Sequence, residues 1–140
     1  VNNIITKSWL IGFIEAKGSF FILKKSSNPL RCVHSFELTQ KLDYIVIYSI
    51  KLLLNINSSI VIKSPSISNK SNLFYKLETT NNSNIEYIIN YFRYKNYKSV
   101  FLGIKSFEYR IWSRTYIKHK GNYIKLLQIK NLLQKHRKNY

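Results

Sequence analysis

Only six side chains in this sequence could serve as carboxylate acids, bases or hard metal ligands: Glu15, Glu37, Asp43, Glu78, Glu86 and Glu108. Metal-assisted phosphodiester chemistry needs carboxylate oxygens gathered around an ion, and nothing in the spacing of these six gathers them. Asp43 reads as a helix N-cap, and Glu86 and Glu108 read as solvated helix charges. His34, His119 and His136 are scattered without ligand spacing. Cys32 stands alone, which excludes a disulfide framework or a zinc cluster and fits a small strand residue in a reducing compartment. The abundant chemistry is cationic. Against 6 Asp and Glu the chain sets 23 Lys and Arg, a formal charge of +17 spread along its whole length. Such a chain should bind a polyanion, and the 15% aromatic residues interleaved with the charges favour nucleic acid with stacking contacts over an anionic membrane surface.

The one stretch that must position everything else runs Trp9-Leu10-Ile11-Gly12-Phe13-Ile14-Glu15-Ala16-Lys17-Gly18-Ser19-Phe20. Its apolar run is too short to span a bilayer and too continuous for a helix with one wet face, so a helix buried on most sides is expected. Gly12 and Ala16 lie four residues apart on one face, where two small residues admit close approach of another backbone. Gly18 should end the helix, and Ser19 to Leu23 reads as a strand.

The segment Leu10-Ile11-Gly12-Phe13-Ile14-Glu15-Ala16-Lys17-Gly18, followed by Ser19-Phe20, resembles the signature of the LAGLIDADG homing endonucleases and their maturase relatives at every position but one. The resemblance implies two such helices side by side across a real or pseudo two-fold axis, each offering an acid just before its closing glycine to a divalent metal. Here that position is Lys17. Glu15 cannot take over, because residues two apart on a helix point in different directions.

Further along, two strands of about Ser19–Ser26 and Arg31–Gln40 should form a hairpin through Ser26-Ser27-Asn28-Pro29. Alternation puts Phe20, Ile22, Phe36 and Leu38 inward, and Phe21, Leu23, Lys25, Ser35, Glu37 and Thr39 outward. A helix from Asp43 to Leu54 would offer Ile45, Ile50 and Leu52-Leu53-Leu54 to the core. A second hairpin, Ile60–Ser64 with Leu73–Thr79, spans a polar connection over 65–72 and turns Tyr75 and Leu77 inward, Val61, Lys63, Phe74, Lys76 and Glu78 outward. Asn81 to Asn84 offers N-caps for a helix through Ile85, Ile88, Ile89 and Phe92, and basic helices follow, broken at Gly121, with Ile124, Leu127, Ile129, Leu132 and Leu133 apolar. The fold class is α+β: one αββαββα domain over residues 1–140, with a four-stranded antiparallel sheet and additional C-terminal helices.

That order is the order of the family the signature resembles. By the same resemblance, Gln40 closes the block Phe36 to Lys41 as the polar residue approaching the active site, and Lys105 opens the block Lys105 to Trp112 as the lysine near the scissile phosphate. Arg110 and Arg114, one turn apart, could grip phosphate. The expected nucleic-acid-binding set is therefore Phe21, Lys25, Ser35, Glu37, Gln40, Lys63, Lys76, Lys105, Arg110 and Arg114. With one copy of the motif, the Gly12/Ala16 face requires a second half of the same kind, another protein or RNA surface, or the chain's own terminal helices.

Lys17 suits the negative end of the helix dipole and repels a divalent cation, so no catalytic residue, metal or cofactor is expected. The function expected is binding of structured RNA without cleavage, either ribosomal RNA in an organellar ribosome or a group I intron served by a maturase. The alternatives are an active Mg2+-dependent DNA homing endonuclease and a DNA-binding protein without cleavage. The predominance of Ile, Asn, Lys, Tyr, Phe and Ser, with few Ala and Gly, is the bias AT-rich codons would produce and suggests a mitochondrial or other organellar gene. No membrane insertion is expected, and the start, without Met or signal peptide, fits a processed chain or a fragment.

Overall fold

The computed structural model describes residues 5–41, 43–63, 73–93 and 100–138. The elements are α1 (Lys7–Lys17), β1 (Gly18–Ser27), β2 (Leu30–Lys41), α2 (Tyr44–Leu53), β3 (Val61–Lys63), β4 (Phe74–Thr79), α3 (Asn82–Tyr91), α4 (Lys105–Lys118) and α5 (Tyr123–Lys138). The strands form one four-stranded antiparallel sheet in the order β1-β2-β4-β3. The architecture is thus the expected α+β order with two added C-terminal helices, while the polar connection at 65–72 lies outside the described residues. The chain divides into two compact units, Val1–Ser19 with Phe36–Tyr91 and Phe20–Ser35 with Phe92–Tyr140.

In the first unit, the Thr6 side chain caps α1 by accepting from the Trp9 amide at 3.1 Å. The helix is not buried on most sides. Leu10 and Ile14 are its buried residues, while Trp9 is 45% exposed and stacked on Phe13 at 5.2 Å. Gly12 and Ala16 are exposed, and a Cβ added at Gly12 would meet no atom within 4 Å. The long apolar run therefore includes a face that no described residue covers.

Gly18 ends α1 for a different reason from the expected backbone freedom. Its φ of −91° and ψ of 163° are ordinary extended values. What excludes a side chain is space, because a Cβ would lie 2.7 Å from Ile14 Cγ2 and 3.0 Å from the Ile14 carbonyl oxygen.

Helix α2 buries Ile47 and Ile50, and Leu54 just beyond it, but leaves Ile45 76% and Leu52 48% exposed, against the expected phase. Asp43 stands at the N-cap position without a side-chain cap hydrogen bond. The other end closes on left-handed Asn55, φ 57°. The Ile56 amide donates to the Lys51 carbonyl at 3.0 Å and the Asn55 amide to Leu52 at 3.2 Å, a full Schellman closure. In α3 the expected cap is present, with the Asn84 amide donating to Asn81 Oδ1 at 3.2 Å. The buried Asn84 side chain donates to Thr79 Oγ1 at 2.9 Å and Asn57 Oδ1 at 2.7 Å, and so fastens the end of β4 to the helix start.

The second unit is built on aromatics. Phe20 lies 5.5 Å from Phe101, 5.0 Å from Tyr109 and 4.9 Å from Trp112, in tilted and edge arrangements worth about 0.5–1.5 kcal/mol per pair beyond area burial. Trp112 also donates its indole N–H to the Phe21 carbonyl at 3.1 Å. Gly121, φ 81°, breaks the chain between α4 and α5 as expected. The buried residues of α5 are Leu126, Ile129 and Leu133, so Ile124 at 70% and Leu132 at 45% exposure fall off the predicted stripe.

Candidate nucleic-acid interface

Lys17 is exposed in the last turn of α1, its ammonium placed at the negative end of the helix dipole. Among the described residues no three His, Cys, Asp or Glu come together as a metal-ligand group. A divalent ion at this helix end would face an ammonium in place of a carboxylate, and this donor set does not fit one.

On the first unit's strands, register places Glu37 opposite Glu78 and Thr39 opposite Lys76 across β2 and β4, with Val61 opposite Lys76 and Lys63 opposite Phe74 across β3 and β4. Two like charges directly opposite one another would repel, and Lys76 resolves this by lying 3.7 Å from Glu37 and 3.4 Å from Glu78. The Glu37 carboxyl is pushed above its ordinary pKa, first by burial and also by Glu78, with Lys76 pulling the other way. Lys76 is therefore an ion-paired lysine, and Lys63 is the exposed one. Gln40 stands opposite Tyr75, on the face shared with buried Leu38 and Leu77 rather than with Glu37 and Lys76.

On the second unit, Phe21 is half-buried beneath the Arg137 guanidinium, 5.7 Å from its ring centre, and Lys25 is exposed. Ser35 differs from the expected outward contact residue. It is fully buried and its hydroxyl has no hydrogen-bond partner among the described residues, so no nucleic acid can reach it in this structure. Arg110 and Arg114 are exposed on α4.

Lys105 has a resident partner, lying 3.8 Å from Glu108 with its side chain 17% exposed. Glu108, expected as a solvated charge, is 1% exposed. Its carboxylate accepts the Phe20 amide at 2.7 Å and pairs with the Arg137 guanidinium, which itself donates to the Phe20 carbonyl at 2.7 Å. Sequence reading missed this clasp. The one available signal was position, since Glu108 sits beside Tyr109 and one turn before Trp112, on the stripe that proved buried.

His34 is also a core group. Its Nε2 lies 3.2 Å from Thr115 Oγ1, and its ring packs on Trp112 and Tyr116. The Thr115 hydroxyl lies 2.7 Å from the Ile111 carbonyl, to which it can donate, and a neutral His34 carrying its proton on Nε2 would complement that arrangement. Burial pulls the His34 pKa down to about 4. The buried Cys32 thiol is pushed up by burial, against the opposing pull of Lys24 and Lys130. Neither is poised for chemistry.

Comparison with known proteins agrees with this geometry. The family model described as LAGLIDADG endonuclease matches residues 10–116. The probable intron-encoded endonuclease Cox1-I1b of Schizosaccharomyces pombe is 40% identical over 139 residues, covering 97% of this chain and 33% of that protein. The chain thus spans about a third of that relative's length. The homing endonuclease I-TnaI shares the fold at TM-score 0.68 and 17% identity, over 96% of this chain and 97% of that one. The I-LtrWI LAGLIDADG homing endonuclease, solved bound to target DNA, matches at TM-score 0.63 and 29% identity, over 91% of this chain and 44% of that one. With a family model covering most of its length and a close relative along nearly all of it, the chain belongs to the LAGLIDADG endonuclease family.

Proposed function

We propose that this chain acts as one nucleic-acid-binding LAGLIDADG domain that does not cleave, and that its partner is structured RNA. Lys17 carries the reading. An acid at the last turn of α1 would oppose the helix dipole by about 0.3–1 kcal/mol and needs a metal to balance it, whereas lysine is favourable there and can contact a phosphate as a point charge. The charge of +17 supports retention of a polyanion partner after loss of cleavage. The intron-encoded relative supports an intron RNA, and hence a maturase role, over ribosomal RNA, and the AT-rich residue usage supports an organellar, mitochondrial setting. The open Gly12/Ala16 face fits a second LAGLIDADG-type half, from another copy or another protein, or an RNA surface.

A second reading is favoured by the relatives themselves. The S. pombe protein is described as a probable endonuclease, and I-LtrWI was solved on target DNA. In that reading the chain is one half of a DNA endonuclease whose partner half supplies the metal-binding acid. Purification without nuclease treatment, sequencing of the retained nucleic acid, and incubation of RNA and DNA with Mg2+ or Mn2+ distinguish the two. The RNA reading expects intron-containing RNA and no metal-dependent products. Recovered DNA with metal-dependent cleavage contradicts it.

A further inference from the structure

From Lys105 to Lys138 the sequence holds seven Lys and three Arg, and Glu108 is its only acid. Glu108 is already committed to Lys105 and Arg137. The remaining cations are not placed at random. On α4, Arg110, Arg114 and Lys118 follow one another at i, i+4 and i+8, all exposed, on the side of the helix opposite buried Tyr109, Trp112 and Tyr116. They form a row about 12 Å long at 1.5 Å rise per residue. None of the three pairs with an acid among the described residues. On α5, Lys135 and Lys138 are exposed with polar Gln128, Asn131 and Gln134 around them, on the side away from buried Leu126, Ile129 and Leu133, and Lys125 is exposed in the first turn.

Helix stability does not account for this arrangement. Lys135 and Lys138 suit the C-terminal dipole of α5, and Lys118 that of α4, but Arg110 and Arg114 lie mid-helix, where like charges at i and i+4 repel. Within the second unit the α4 side that packs on Phe20 and His34 is the aromatic one, so the arginine row points away from the β1–β2 hairpin. A sparsely apolar, unpaired cationic row that costs self-repulsion is complementary to a phosphate backbone and to little else.

We propose that the exposed faces of α4 and α5 form a second, sequence-independent phosphate-backbone site for nucleic acid, on the side of the second unit that faces away from its β1–β2 hairpin. The chain would then hold two segments at once. Guanidinium groups at one-turn spacing contact successive phosphates bidentately, and the α5 lysines extend the same track.

The test uses the whole chain with two probes, a fluorescent RNA hairpin and a DNA duplex of matched length. The triple variant Arg110→Gln/Arg114→Gln/Lys118→Gln should fold as the parent does, because all three side chains are exposed. Its slope of log affinity against log salt should fall by about 2 to 3 units, from three lost contacts of about 0.7–0.9 each. A strand variant, Lys25→Gln/Lys63→Gln, should lose its own contacts independently, so that losses in the combined variant add. At saturation the parent should carry two hairpins, or two duplexes, per chain, and the α4 variant one. A slope unchanged in the α4 variant, or saturation of the parent at one hairpin per chain, overturns the second site while leaving nucleic-acid binding intact. A parent that retains neither probe overturns this proposal and the proposed function together.

Discussion

Glu108 and Arg137 hold the two polar groups of one peptide between them: the carboxylate accepts the Phe20 N–H, the guanidinium donates to the Phe20 carbonyl, and the two side chains pair with each other. Phe20 lies in β1, the edge strand of the sheet. A side-chain ion pair thus occupies donor and acceptor positions that another strand could otherwise take, which blunts the edge against stray pairing. Because Glu108 is 1% exposed, Glu108→Ala leaves Arg137 and Lys105 without their anion and the Phe20 amide unsatisfied. The expected loss is about 3–5 kcal/mol in urea unfolding. Arg137→Ala should cost less, since Lys105 remains beside Glu108. Equal stability of Glu108→Ala and the parent would remove the clasp as a structural element.

A histidine held neutral in a core makes stability depend on pH. The folded pKa of His34 is lowered to about 4 from an ordinary 6.5, so the unfolded chain binds the proton more readily. Stability from this group is full above about pH 6.5 and is lost progressively as pH falls toward 4, by roughly 3 kcal/mol in total at 1.4 kcal/mol per pH unit. At pH 5 the parent should already have lost about 2 kcal/mol relative to pH 7.5. His34→Gln, which retains a donor toward Thr115, should show a shallower dependence over the same range. A variant profile parallel to the parent's would place the titration elsewhere.

The two glycines of the signature should respond oppositely. Gly18→Ala puts a Cβ 2.7 Å from Ile14 Cγ2 and close to backbone, and should cost about 1–3 kcal/mol. Gly12→Leu meets open space, so the single chain should stay folded while any partner on that face is lost. Circular dichroism melts read the first effect, and size-exclusion chromatography at rising concentration reads the second, where a parent assembly absent from Gly12→Leu is expected.

Much of this was legible in the sequence, and the misses have physical causes. Alternation found the inward set Phe20, Ile22, Phe36, Leu38 and Leu77 because strand period leaves two choices of face. Helix phase was harder. Ile45, Leu52, Ile124 and Leu132 are apolar yet exposed, and no pattern of apolar residues tells a core stripe from a helix with apolar residues on two sides. The continuous run around Gly12 predicted burial that the chain alone does not provide. Glu108 and His34 were misjudged because a buried polar residue is recognised by its partners, and Arg137 and Thr115 stand 29 and 81 residues away.

Among the strand lysines, pairing decides the contribution. Lys76→Gln should change the salt slope for nucleic acid less than Lys63→Gln, because Lys76 already neutralises Glu37 and Glu78 and releases fewer counterions on binding. Slopes measured for both single variants against the same RNA hairpin check the order, and a larger effect at Lys76 would show that its acids turn elsewhere in the complex.

Whether Lys17 stands in place of metal chemistry at the end of α1 can be tested without knowing the target. Titration of Mn2+ into isotope-labelled protein, free and bound to RNA, reads proximity as line broadening at the amides of Ala16, Lys17 and Gly18. No saturable broadening is expected there in the parent, and it should appear in Lys17→Asp, which restores the carboxylate. Saturable, selective broadening around Lys17 in the parent, accompanied by Mn2+-dependent cleavage of nucleic acid, would contradict that expectation.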